Sequence, residues 1–122
     1  MRTLLLVEDD EEIRGCIAEG LGMAGYRVIA VPTSTDGLRE LKSDRPIDLA
    51  VIDIQMPPGH PHGFALARMA RYHRVKLPLV LMSGHPELAE ADEPPEGVRV
   101  FLKPVRVREL LEIIAAALAA QA

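Results

Sequence analysis

The strongest constraint on this 122-residue chain is a set of short apolar runs, most of which stop at a reactive polar residue. Leu4 to Val7 runs into Glu8-Asp9-Asp10, and Asp48 to Ile54 carries Asp53 near its end. Leu77 to Met82 stops at Ser83-Gly84, and Val98 to Leu102 stops at Lys103-Pro104. Tyr26 to Val31 is a fifth run of strand character. The runs are continuous rather than alternating, so a strand made from them is covered on both faces. Between them the apolar period changes to three and four residues. Ile13, Ile17, Leu21 and Ala24 mark a helix from Glu11 to about Ala24, with Gly25 as its stop. Leu38 and Leu41 mark a second helix, capped by Ser34 or Thr35. Phe64 to about His73 reads as a third helix. A last one reaches Ala122, with Leu110, Leu111, Ile113, Ile114 and Leu118 as its stripe. Strands alternating with helices give an α/β fold with a parallel sheet. Right-handed crossovers then put helices on both faces, the doubly wound arrangement.

Length and composition fit one domain over 1–122 with a sizeable core and no further output domain. Aromatics are only 3% of the chain, so that core is aliphatic. A net charge of -4 argues against a nucleic-acid binder. Cys16 is the single cysteine, which rules out an internal disulfide and fits a reducing, cytoplasmic setting. The first apolar run is too short for a signal peptide or a membrane span.

In an open parallel sheet the carboxyl ends of all strands share one edge, and ligands bind there. Glu8-Asp9, Asp53, Ser83 and Lys103 can therefore meet. Carboxylates gathered in this way repel: two unit charges about 4 Å apart cost about 4 kcal/mol at an effective dielectric of 20. Protons or a divalent cation must relieve that cost, and Mg²⁺ suits an all-oxygen site completed by phosphate. One carboxylate then serves as nucleophile toward phosphorus. Lysine and serine are suitable donors to the acyl phosphate that forms, and Gly84 leaves room beside Ser83 for it.

These segments resemble the receiver domains of two-component response regulators. Leu4-Leu5-Leu6-Val7-Glu8-Asp9-Asp10, Asp53-Ile54-Gln55-Met56-Pro57, Val80-Leu81-Met82-Ser83-Gly84 and Lys103-Pro104 carry the likeness, which covers the whole chain. Each segment is unspecific alone; the four in order are not. The resemblance implies a flavodoxin-like (βα)5 fold with strand order 2-1-3-4-5. It implies Asp53 as phosphoacceptor, and Mg²⁺ on Glu8, Asp9, Asp53 and the backbone carbonyl of Gln55. Ser83 and Lys103 would bind the phosphoryl group, and Lys103-Pro104 would be cis. Implied partners are a histidine kinase or histidine phosphotransfer protein and an unnamed downstream protein, with the domain a monomer or weak dimer. A Mg²⁺-dependent aspartyl-phosphate phosphatase is the main alternative, but such enzymes commonly carry an acid where this chain has Gln55. A degenerate receiver that binds partners without phosphorylation is the other.

Three departures from the family pattern concern readout. Gly63 lies ten residues after Asp53 rather than about eight, which implies a two-residue insertion in the proline-rich stretch before it. The usual aromatic switch position, three before the lysine, holds Val100, with Phe101 on the opposite strand parity. Either the strand is irregular there or the aromatic switch is missing or altered, and we expect the second. The helix between the fourth and fifth strands, starting at Pro86, should end early at Asp92-Glu93-Pro94-Pro95. Among the remaining candidates, Asp10 reads as a helix cap, His60 and His62 as solvated, and Cys16 as a buried or half-buried packing residue. The least ordered stretches should be Pro57 to His62 and Asp92 to Gly97.

Overall fold

The computed structural model describes residues 1–55, 63–84 and 97–121, apart from the side chain of Phe64. The expectations for Pro57 to His62, for the helix starting at Pro86, and for Asp92 to Glu96 lie outside the described residues. The elements are β1 (Thr3–Val7), α1 (Glu11–Met23), β2 (Arg27–Val31), α2 (Ser34–Lys42) and β3 (Leu49–Asp53). They continue with α3 (Gly63–His73), β4 (Leu79–Ser83), β5 (Val98–Leu102) and α4 (Val107–Ala119). All strand pairs are parallel, in the order β2-β1-β3-β4-β5. This is the expected five-stranded doubly wound sheet.

Strand composition follows position in the sheet. All five residues of β1, β3 and β4 are buried, whereas the edge strands β2 and β5 alternate with exposed positions. Successive residues of a strand point to opposite faces, and the core divides accordingly. Leu5, Val7, Ala50, Ile52, Leu79 and Leu81 pack with Leu41 of α2 and Leu66, Ala67 and Ala70 of α3. Leu4, Leu6, Leu49, Val51, Val80 and Met82 pack with Ile17 and Leu21 of α1 and Leu110, Ile114 and Leu118 of α4. Burying each of the larger aliphatic side chains is worth roughly 1.5–3 kcal/mol, so the two layers are held mainly by aliphatic packing, with Phe101 an aromatic member of the second.

Helix ends partly follow the sequence. Asp10 caps α1 as expected, accepting from the Ile13 N–H at 3.0 Å. The cap of α2 is Thr33, whose Oγ1 accepts from the Asp36 N–H, and not Ser34 or Thr35. Ser34 is instead fully buried and Thr35 is exposed. A cap needs extended backbone with its oxygen three residues before a free N–H, and Thr33 has that geometry (φ -134°, ψ 156°). Cys16 is exposed rather than buried. It lies about 100° round the helix from Ile17, so burial of one neighbour does not carry the other inside. Ile13, placed on the expected stripe, is also exposed, at 37%.

Candidate functional site

Four parallel strands deliver the site, with β4 ending at Ser83. β1 ends at Val7, so Glu8 and Asp9 leave the sheet at its carboxyl edge; the Glu8 N–H still donates to Val31 O at 3.1 Å. β3 ends at Asp53, opposite Met82 of β4 in register, and β5 delivers Lys103 one residue past Leu102. The Lys103 N–H donates to Ser83 O at 2.7 Å, which ties the ends of β4 and β5 together. Lys103-Pro104 is cis.

The side chains converge. Carboxylate oxygens of Glu8, Asp9 and Asp53 lie within 4.8 Å of one another. Lys103 Nζ donates to Asp53 Oδ2 at 2.9 Å and to Glu8 Oε1 at 3.2 Å. The Gln55 N–H donates to Asp53 Oδ1 at 3.0 Å, so both oxygens of this carboxylate are held. Glu8 is completely buried, Asp53 is 2% exposed and Ser83 is buried, while Asp9 faces solvent. Gly84 follows Ser83 on the surface, and a Cβ there would meet nothing within 4 Å. Glu8, Asp9, Asp53 and Lys103 are thus brought to one place, with the Gln55 N–H on Asp53 and the Ser83 backbone tied to Lys103.

The electrostatics show what the cluster lacks. Burial pushes the Glu8 carboxyl up to about 8, and the adjacent Asp53 carboxylate adds to the rise; Lys103 opposes it without cancelling it. Burial acts to lower the Lys103 pKa, but its hydrogen bonds and charge contacts with Asp53 and Glu8 win, and the net shift is upward. Glu8 Oε2 is buried with no hydrogen-bond partner. A buried oxygen left in this way costs about 1–3 kcal/mol. An unpartnered carboxylate oxygen among three carboxylates suits a hard cation with oxygen ligands. The residues therefore fit Mg²⁺.

Two further features were not visible in the sequence. The Arg14 guanidinium on α1 reaches back to the loop between β1 and α1, donating to Glu8 O at 3.0 Å and Asp9 O at 3.4 Å. An arginine on a helix face is ordinarily a solvated residue, and only the tertiary contact distinguishes this one. Gly63, noted for its spacing, proves to be a close-packing position. A Cβ on it would lie 2.4 Å from Ile54 Cα and 2.9 Å from Asp53 O.

The ambiguity at the switch position is resolved. β5 pairs regularly with β4, Leu81 opposite Val100 and Met82 opposite Phe101. Phe101 is 7% exposed and packs into the layer beneath α1 and α4. Val100 packs, partly buried, against the opposite layer. The strand is regular, so Phe101 is a core residue, and the position three before Lys103 holds no aromatic ring.

The sequence model for the response regulator receiver domain matches residues 4–115. The chain belongs to that family. Among curated relatives, the receiver is 33% identical to the transcriptional regulatory protein GltR of Pseudomonas aeruginosa, over 96% of this chain and 49% of GltR. It is 30% identical to the response regulator receiver protein CpdR of Brucella abortus, over 93% of this chain and 94% of CpdR. The receiver spans about half or less of the length of several transcriptional regulators it matches. Among solved structures, a response regulator receiver protein from Sinorhizobium medicae superposes with a TM-score of 0.90 at 30% identity, covering 99% of this chain and 97% of that one. The receiver domain of the hybrid histidine kinase CckA matches with a TM-score of 0.81 at 27% identity, over 95% and 98% of the two chains. No helix among the described residues is long and apolar enough to cross a membrane.

Proposed function

We propose that this receiver accepts a phosphoryl group on Asp53 from a phosphohistidine of a histidine kinase or phosphotransfer protein. It then relays the group or changes its binding to a downstream protein. The observation that carries the reading is the setting of Asp53: a nearly buried carboxylate held by Gln55 N–H and Lys103 Nζ beside two further acids. In the transfer, one Asp53 carboxylate oxygen forms a bond to phosphorus as the bond from phosphorus to the donor imidazole nitrogen breaks. The electron pair of that bond leaves with the imidazole. Glu8, Asp9, Asp53 and the Gln55 carbonyl would hold Mg²⁺, whose charge offsets that of the phosphoryl oxygens. Lys103 supplies a second positive charge, and the Ser83 hydroxyl, next to open space at Gly84, supplies a directional donor to the product.

Donor access has physical support on the same edge. An apolar cavity of about 230 Å³, walled by Ile13, Cys16 and Ile17 of α1 and by Pro104, Val105 and Val107, opens beside Lys103. It is large enough for one or two aliphatic side chains of a donor. Gln55 offers no acidic proton, so steady turnover of phosphomonoesters is not expected of this site. We place the protein among cytoplasmic two-component components that act as phosphoproteins rather than turnover enzymes.

The test is intact mass after incubation with acetyl phosphate and Mg²⁺. The reading expects one added phosphoryl group on the wild type, none on Asp53→Ala, and none when the cation is chelated. Equal labelling of wild type and Asp53→Ala would make the binding-module alternative the better one.

A further inference from the structure

The loop carrying Glu8 and Asp9 is under electrostatic load. Glu8 is completely buried with one oxygen unpartnered, and the carboxylates of Asp9 and Asp53 lie within 4.8 Å. Once Glu8 ionises, as it must to hold a cation, like charge among these groups opposes their convergence at the end of β3. Lys103 counters this at the carboxylate end, by pairing with Glu8 and Asp53. Its two ion pairs go to Glu8 and Asp53 and leave Asp9, the most exposed of the three acids, to be held by other means. The backbone end of the loop is held differently. Its entry is fixed by the Glu8 N–H on Val31 O, and its exit by the Asp10 carboxylate on the Ile13 N–H. Between these two points the loop is held by Arg14, whose single Nη1 reaches the carbonyls of both Glu8 and Asp9.

A carbonyl held by a guanidinium fixes the orientation of the two peptide planes between Glu8 and Asp10. With those planes fixed, the Cα–Cβ directions of Glu8 and Asp9 are fixed as well. We infer that Arg14 is a positioning residue for the cation site: it clamps the loop from behind so that the two acids converge with Asp53 before any cation arrives. This rests on the receiver reading above and deepens it. The clamp works through pre-organisation, because a ligand set held in place loses less freedom when the ion binds. Two features separate it from an ordinary helix-surface arginine. Arg14 is only partly exposed, and both of its acceptors belong to residues of the cation site. Nor is it a cap of its own helix, since Asp10 already fills that role.

The experiment compares wild type, Arg14→Gln, Arg14→Lys and Arg74→Gln, with Mg²⁺ affinity measured calorimetrically and by the amide shifts of Glu8 to Asp10. Arg74 sits at the opposite edge of the sheet and serves as a destabilised control. Arg14→Gln should weaken Mg²⁺ binding by about tenfold and broaden the Glu8 and Asp9 amides in the cation-free protein. Arg14→Lys should recover part of the affinity, since one ammonium can still reach a carbonyl. Arg74→Gln should lower thermal stability and leave the affinity unchanged. Unchanged affinity and unchanged loop signals in Arg14→Gln, with wild type binding Mg²⁺ normally, would overturn the clamp and leave the receiver reading intact. Equal loss in Arg14→Gln and Arg74→Gln would also overturn it, by reducing Arg14 to a stability residue. A wild type that binds no Mg²⁺ at Asp53 would sink both readings.

Discussion

At the scale of single residues, Glu8 sets the behaviour of the cation-free site. Its folded-state pKa is raised to about 8 from an ordinary value of 4.5, chiefly by burial and then by Asp53. Between those two values the folded protein binds a proton that the unfolded chain has already lost. Stability therefore falls as pH rises through that window, by on the order of a few kcal/mol in all. Urea midpoints measured in chelator from pH 4.5 to 8 should show this decline. A divalent cation should flatten it, because it stabilises the ionised carboxylate that the slope penalises. Glu8→Gln should remove most of the slope, since an amide does not titrate. A decline that persists undiminished in Glu8→Gln would assign it to other groups. Asp53 itself was legible in the sequence because its neighbours in the site each end an apolar run, and such ends must share one edge of a parallel sheet. Arg14 was not legible, because its role depends on how α1 sits over the preceding loop and not on any residue pattern.

At the scale of elements, glycines show how local sequence meets tertiary packing. α1 contains Gly15, Gly20 and Gly22, and helix propensity alone treats the three alike. Their surroundings differ. A Cβ at Gly15 or Gly22 would meet nothing within 4 Å, whereas one at Gly20 would lie 2.5 Å from Val107 Cγ1. Gly15→Ala and Gly22→Ala should each raise stability by about 0.5–1 kcal/mol. Gly20→Ala should gain less or lose, since α4 stands in the way. Chemical denaturation of the three variants checks the contrast. Gly63 is the sharper case, because its obstacle is backbone. Gly63→Ala would press on Ile54 Cα and Asp53 O, which no rotamer change can relieve. We expect a loss of about 1–3 kcal/mol together with slower labelling of Asp53 by acetyl phosphate, since the displaced atoms carry the phosphoacceptor. A fully stable, normally labelled Gly63→Ala would show that the start of α3 can move off the end of β3 at little cost. The sequence exposed Gly63 only as a matter of spacing; the reason for glycine there lies in the approach of α3 to the end of β3. The same limit applied to the start of α2. Thr33, Ser34 and Thr35 are all chemically able to cap, and only the backbone turn at Thr33 selects between them.

At the scale of the whole molecule, the two edges of the sheet do different work. The carboxyl edge collects the acids, Ser83 and Lys103, and is loaded with repulsion and an unpartnered oxygen. The opposite edge is tied down. Arg74, just after α3, donates through Nε to Leu41 O at 3.1 Å and through Nη2 to Ser43 O at 2.8 Å and Arg45 O at 2.7 Å. One guanidinium thus satisfies the end of α2 and the chain leading to β3. Arg71 similarly donates to Leu77 O at 2.8 Å, at the approach to β4. Strand alternation made the architecture readable, since fully apolar runs have few places to go except a sheet covered on both faces. The ties of Arg74 were not readable, because they join carbonyls at and after the end of α2 to a side chain about thirty residues away, and carbonyls leave no trace in a sequence. The division yields a separable prediction. Arg74→Ala leaves three carbonyls without their donor, and hydrogen bonds to a charged group are worth about 1.5–3 kcal/mol. Solvent can replace part of that at an edge of the molecule, so we expect a loss of about 2–3 kcal/mol in all. The initial rate of Asp53 labelling, measured well below the melting temperature, should stay within about twofold of wild type, because the bonds of Arg74 among the described residues all lie at the opposite edge. A labelling rate that falls in step with stability would mean the two edges are coupled through the sheet, and the active edge could then no longer be treated as a site mounted on an independent scaffold.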